Sequence, residues 1–184
     1  MAWEIDPIHS QIAFSVRHMM VTTVRGRFNV VSGHVHIDEE HPANSMVDAV
    51  VDAASIDTHN EQRDAHLRSP DFFDVATYPT ITFKSTKIEH VSGQDYKVTG
   101  DFTMHGVTKS VTFEADYQGQ SNMMGVQRAG LTAKTKINRK DFNLAWGSAI
   151  EAGQVAVSEM VTIDIDLEVT QPAAVEQPAG ATVA

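Results

Sequence analysis

The chain has no cysteine in 184 residues. Disulfides, thiolate nucleophiles and Cys-based zinc or iron–sulfur sites are therefore excluded. Cations are in the minority: 14 Lys and Arg against 24 Asp and Glu give a formal net charge of −10. Phosphate backbones are bound by net basic surfaces, so a nucleic-acid partner is not expected. No stretch approaches the roughly 20 apolar residues of a transmembrane segment. The opening, MAWEIDPIHS, has neither a basic start nor an apolar run of signal-peptide length. A soluble, cytoplasmic protein is the expectation. A Gly-x-Ser-x-Gly elbow on a strand–turn–helix unit is also missing, which leaves a serine hydrolase without its anchoring motif.

What is present is period-two alternation. In VTIDIDLEV, Val161, Ile163, Ile165, Leu167 and Val169 alternate with Thr162, Asp164, Asp166 and Glu168; this is a strand with one dry and one wet face. The same pattern runs through IAFSVRH, MVDAVVDAAS, TITFKST, DYKVTGDFTMHG, KSVTFEADYQG and LTAKTKI. With the strand that resumes at Gly26-Arg27-Phe28 these make about eight, at spacings that predict an all-β antiparallel barrel or sandwich. Ser92-Gly93 and His105-Gly106 read as hairpin turns, and Gly33 as a bulge that moves the inward set to Val35 and Ile37. THNEQRDAHLRSPDFFDVATYP, between strands three and four, breaks the alternation. Asn60 suits the N-cap of a short helix through Leu67, and Ser69-Pro70 a second turn. The domain is expected over residues 1–170, with QPAAVEQPAGATVA, 171–184, as a disordered tail.

The inward residues are mixed in size. Ala49, Ala53, Gly100, Ala115 and Ala133 stand beside Phe14, Phe28, Phe83, Phe102 and Phe113. An eight-stranded barrel can be filled by its side chains or can hold one small ligand. The small residues either match the barrel's taper or leave a cavity, which would be long and dry.

EIDPIHSQIAFSVRHMMVTTVRGRF, SIDTHNEQRDAHLRSPDFFDVATYPTITFKST, VTGDFTMHGVTKSV and INRKDF, in that order, resemble the YceI family from Trp3 to about Leu167. The resemblance implies a lipocalin-like extended eight-stranded antiparallel barrel with a short helical insertion between strands three and four. It also implies an apolar channel for a polyisoprenoid lipid, an isoprenoid quinone or a similar long-chain amphiphile, with no catalysis and no obligatory metal or cofactor. Two departures fall at one barrel end: Asn143 stands where members usually carry Gly, and EAGQVAVSEMV lacks the Gly-Asp often found before the last strand.

On this reading the ligand-binding wall comprises Phe14, Val16, His18, Met19, Phe28, Phe83, Phe102, Met104, Phe113 and Ile163. Methionine suits a wall against a flexible chain, and His18 continues the inward parity of Ile12, Phe14 and Val16 to the end of the apolar face. Met19 and Met20 equally suit a plug beside a turn, with His18 bonded to a backbone carbonyl. Arg63, Arg68, Arg17, Arg25 and Arg27 either fasten the insertion through Asp57, Asp71 or Asp74, or meet a polar headgroup at the mouth. His34-Val35-His36 puts two imidazoles on one strand face, but that face is outward and a bare His-x-His is a weak metal signal. Burial would supply about 3 kcal/mol per enclosed prenyl unit before the cost of ordering the chain. The reading is a non-catalytic lipid binder, with a homodimer left open as its assembly. The alternative is an isomerase or cyclase acting on a hydrophobic substrate in the same pocket.

Overall fold

The computed structural model describes residues 2–147 and 156–171. The expected tail lies outside the described residues except Gln171, which ends the last strand; residues 151–155 of the divergent EAGQVAVSEMV segment lie outside them too.

The strands are β1 (Ala2–Ile5), β2 (Gln11–His18), β3 (Thr22–Phe28), β4 (Val31–His36), β5 (Met46–Asp52) and β6 (Ile56–Asp57). After the helix α1 (Glu61–Arg68) come β7 (Thr80–Ser92), β8 (Asp95–Met104), β9 (Val107–Met123), β10 (Val126–Asn138) and β11 (Val157–Gln171). Every pairing is antiparallel, and β1 closes the ring by pairing with both β4 and β11. The result is a closed eight-stranded barrel.

Three positions in the ring are each filled by two successive segments. β11 pairs with β2 over Val157–Asp166 and with β1 at Val169 and Thr170. Beside them, β3 pairs with β2 while β4 pairs with β1, and β6 pairs with β3 while β5 pairs with β4. β7 then pairs with β5, whereas β6 has no pairing with it among the described residues. α1 and residues 69–79 connect these two strands, so the helical insertion lies where the ring is open.

Strand two of the sequence reading is thus two segments, and Gly33 is not a bulge. The β4–β5 register runs unbroken from Val31↔Val51 to His36↔Met46. The parity change comes from the break at Asn29-Val30, where Asn29 N–H donates to the Ser55 carbonyl at 3.2 Å and Val30 N–H to Ser55 Oγ at 3.1 Å. Gly33 is required for close approach instead: a Cβ there would collide with the Asp48 carbonyl, and its φ is +149°. The Ser92-Gly93 and His105-Gly106 turns stand as read, linking β7 to β8 and β8 to β9.

Asn60 caps α1, its side chain accepting from Arg63 N–H at 2.9 Å. Ser69 Oγ bonds the His66 carbonyl at 2.6 Å and forms the second turn, in which Phe72 N–H donates to the Ser69 carbonyl at 3.0 Å. Among the described residues no helix is long and apolar enough to cross a membrane.

Candidate functional site

The inward faces of these strands leave a cavity of about 350 Å³, inside the range of small-molecule sites. Of the ten wall residues expected from the sequence, nine line it: Phe14, Val16, His18, Phe28, Phe83, Phe102, Met104, Phe113 and Ile163. Their spacing follows from register. Ile163 pairs with Phe14, Phe83 with Phe102, and Val98 with Phe113. Ring contacts fix the wall further: Phe14 and Phe28 have centroids 5.7 Å apart, and Phe83 meets Phe113 edge-on at 5.1 Å. The small inward residues leave room between these rings, with Ala49, Ala115 and Ala133 all on the wall.

Met19 is the exception. It does not line the cavity and is 40% exposed, as Met20 is 63% exposed. Both sit in the β2–β3 turn with left-handed backbone, at φ 51° and 56°. The turn ends the alternation at His18, and both side chains project outward rather than into or across the barrel. His18 lines the cavity at the end of β2 and has no side-chain hydrogen bond among the described residues, so the carbonyl partner considered for it is not there.

The open part of the ring is closed by residues that alternation could not reveal. Leu67 of α1 and Phe72 and Phe73 of the following turn line the cavity, and Phe73 meets Phe28 edge-on at 5.9 Å. Leu144 lines it from the loop after β10. Two adjacent phenylalanines in an otherwise polar insertion were the available signal for the first group. His66, Phe72 and Trp146 form one cluster, with His66 4.9 Å from Trp146 and 5.3 Å from Phe72.

Polar groups on the wall are few and most are already bonded. Asp64 is buried and accepts from Thr58 N–H at 3.0 Å and from its hydroxyl at 2.5 Å. Arg63 grips the same residue, Nε donating to Thr58 Oγ1 at 2.7 Å and Nη2 to its carbonyl at 2.8 Å. Arg63, Thr58 and His66 all touch the cavity, and the guanidinium keeps donors beyond the two used. Arg139 is buried and donates to the carbonyls of Leu144, Trp146, Val157 and Ser158; burial lowers its pKa from the ordinary value, with Glu159 opposing that shift.

Of the remaining arginines, Arg68 and Arg27 fasten neighbouring segments, and Arg17 follows neither reading given it. Arg68 fastens α1 through the carbonyls of Ala54 and Ile56, at 2.8 and 2.9 Å, rather than through Asp71 or Asp74. Arg27 lies 3.5 Å from Asp57, and Asp71 is bonded to His66. Arg17 braces its own turn. His34 and His36 alternate with buried Val35 and face outward. Asp6, His9 and Glu168 do converge, but Arg128 is bonded to Glu168 and lies 3.8 Å from Asp6, so a cation already occupies their field.

Comparison with known proteins agrees with this architecture. The family model described as a YceI-like domain matches residues 3–169. A UPF0312 protein of Vibrio parahaemolyticus is 42% identical over 137 residues, covering 74% of this chain and 72% of the relative. The crystal structure of Burkholderia cenocepacia BcnA superposes with a TM-score of 0.78 at 26% identity, covering 89% of this chain and 98% of that one. A polyisoprenoid binding domain from Saccharophagus degradans, implicated in plant cell wall breakdown, shares the fold at a TM-score of 0.70 and 20% identity, over 92% of this chain and 98% of its own.

Proposed function

The chain belongs to the YceI-like family, and on that premise we propose that its barrel binds, stores or carries a polyisoprenoid lipid or isoprenoid quinone without transforming it. The observation that carries this reading is the wall: a cavity of about 350 Å³ lined from strands, helix and loop by apolar side chains. Such a space rewards burial of hydrocarbon and offers little to a polar metabolite. The shared fold of the Saccharophagus polyisoprenoid binding domain supports the same ligand class.

In this reading Phe14, Val16, Phe28, Phe83, Phe102, Met104, Phe113 and Ile163 contact the chain of the lipid. The headgroup meets Arg63 of α1 or His18 at the end of β2, which both line the cavity and hold unused hydrogen-bonding capacity. A quinone carbonyl or a phosphate would accept from the Arg63 guanidinium, whose plane Thr58 already orients. A cytoplasmic location belongs to the same reading, and cell fractionation checks it.

Mass spectrometry of an organic-solvent extract, beside native mass spectrometry of the protein purified from its own host, tests the proposal. A near-stoichiometric prenyl or quinone species is the expected result. An empty protein that also takes up no added prenyl lipid, or recovery of a chemically altered lipid after incubation, overturns it.

A further inference from the structure

The β2–β3 hairpin, residues 11–28, carries Arg17, Arg25 and Arg27 and no acidic residue, in a chain whose net charge is −10. Its tip is apolar and open: Met19, Met20 and Val21 are 40%, 63% and 74% exposed. A turn with positive φ at both central residues favours Asn and Gly, yet Met19 and Met20 fill it. Arg17 holds the turn in shape, donating to Thr23 Oγ1 and to the carbonyls of Met20 and Val21 at 3.1–3.4 Å.

The surroundings continue this character. Arg25, Ser15, Thr162 and Lys136 are successive register partners across β3, β2, β11 and β10, and among the described residues Arg17, Arg25 and Lys136 have no acidic partner. Glu159 is neutralised by Lys140 at 2.6 Å, and Arg27, farther from the tip, by Asp57. Met19 N–H donates to the Ala156 carbonyl at 2.9 Å and Val157 N–H to the Gly147 carbonyl at 3.4 Å, which brings the backbone at Trp146 to this rim. Its ring, 46% exposed, rests one side on His66 and Phe72, and the acid nearest it, Asp71, is bonded to His66. An apolar tip with an interfacial tryptophan and uncompensated cations matches one surface chemistry, that of an anionic bilayer.

We propose that this rim docks the protein onto anionic lipid membranes, with Met19, Met20, Val21 and Trp146 entering the headgroup boundary and Arg17, Arg25 and Lys136 facing the anionic headgroups. The docking face is outside the cavity, and it stands whether or not the cavity holds a prenyl lipid. The molecule supplies its own control. At the opposite end of β11, where Gln171 pairs with Gln127, the β9–β10 tip exposes Met123 and Met124 at 65% and 99%, but the nearby Arg128 is bonded to Glu168.

Vesicles of phosphatidylcholine alone, and with an equal part of phosphatidylglycerol, both carrying brominated acyl chains, provide the test. The chain has two tryptophans, and Trp3 is 3% exposed in the core, so bromine quenching reports Trp146. Quenching and co-sedimentation are expected with the anionic vesicles only, and to fade in high salt. Arg25→Glu should weaken binding about tenfold or more, and the pair Met20→Ser, Val21→Ser should weaken it comparably. The pair Met123→Ser, Met124→Ser should leave it unchanged. Absence of binding to anionic vesicles overturns the proposal, as does loss through Met123 and Met124. A change of sedimentation coefficient in the Met20, Val21 variant without lipid also overturns it, because it would make the tip a protein interface. Circular dichroism of each variant confirms its fold, and prenyl-lipid loading, measured separately, shows whether the cavity reading fails independently.

Discussion

Phe83 on β7 and Phe102 on β8 are direct register partners, and both face the cavity. Phe113 packs edge-on against Phe83 with ring centroids 5.1 Å apart, and Phe142 against Phe102 at 5.3 Å. A carboxylate placed among these rings would carry a desolvation cost of several kcal/mol, and the cavity's two arginines, Arg63 and Arg139, already donate to Thr58 and to backbone carbonyls. Phe83→Glu and Phe102→Glu should therefore reduce prenyl-lipid occupancy to background in native mass spectrometry. Thr162→Ala, on the outer face of β11, should leave occupancy unchanged. Equal occupancy in all three would remove the cavity as the lipid site.

The Thr58–Asp64–Arg63 cluster sets the position of α1 over the open part of the ring. Asp64 is the sole side chain seen to accept from both the Thr58 amide and its hydroxyl among the described residues. Removing it leaves buried donors unmet, a loss of about 1–3 kcal/mol each where no water replaces it. Asp64→Ala should lower the urea midpoint by an amount worth about 2–4 kcal/mol. Asp64→Asn, which keeps one carbonyl acceptor, should fall between it and the unmodified protein.

The parts of the molecule that were legible in the sequence are those in which one face of a strand is dry. Ile163 and Phe14, or Phe83 and Phe102, could be assigned inward because polar residues separate each from the next apolar one, and the barrel packs them accordingly. β1 went unread because AWEI is too short to establish a period. The outer half of the β9–β10 hairpin went unread for another reason: QSNMMGVQR has no apolar alternation, and its order comes from the backbone ladder between Ser121–Met123 and Val126–Arg128. The break at Asn29-Val30 depends on bonds to Ser55, far along the chain. At the site, Phe72, Phe73 and Leu144 reach the wall from segments without strand periodicity, whereas Met19 is carried off it by a turn conformation that residue pattern does not encode.

Tyr117 is half-buried near the end of the barrel remote from α1. Its hydroxyl donates to Glu39 at 2.8 Å, and Gln120 donates to the same carboxylate oxygen at 3.0 Å. Burial first, and then the bond to Glu39, push the phenol up to about 12. The folded pKa is raised above the unfolded value of about 10, so the folded state holds the proton more tightly. Stability from this contact is fully present below pH ~10 and is lost as pH rises toward ~12. Denaturation midpoints of the unmodified protein should fall across that window more steeply than those of Tyr117→Phe. Parallel curves would show that the phenol ionises as freely in the folded protein as in the unfolded chain.

Arg139 concentrates four backbone acceptors on one buried side chain. One guanidinium satisfies the carbonyls of Leu144 and Trp146 in the loop and of Val157 and Ser158 on β11, at 2.5–2.9 Å. That geometry uses a planar fork whose donors diverge, which an ammonium on a flexible stem cannot reproduce. Burial already disfavours its charge, so the carbonyls must compensate for water that the group has lost. Arg139→Met would leave the carbonyls without a donor and should cost about 3–5 kcal/mol. Arg139→Lys should recover less than half of that loss, because its three donors issue from one nitrogen. Since Trp146 is held through its own carbonyl, its emission should shift red in both variants before global unfolding, while the emission of Trp3, 3% exposed in the core, stays where it is. Lysine restoring full stability and the original emission would show that charge alone holds the loop; the four-carbonyl geometry predicts that it will not.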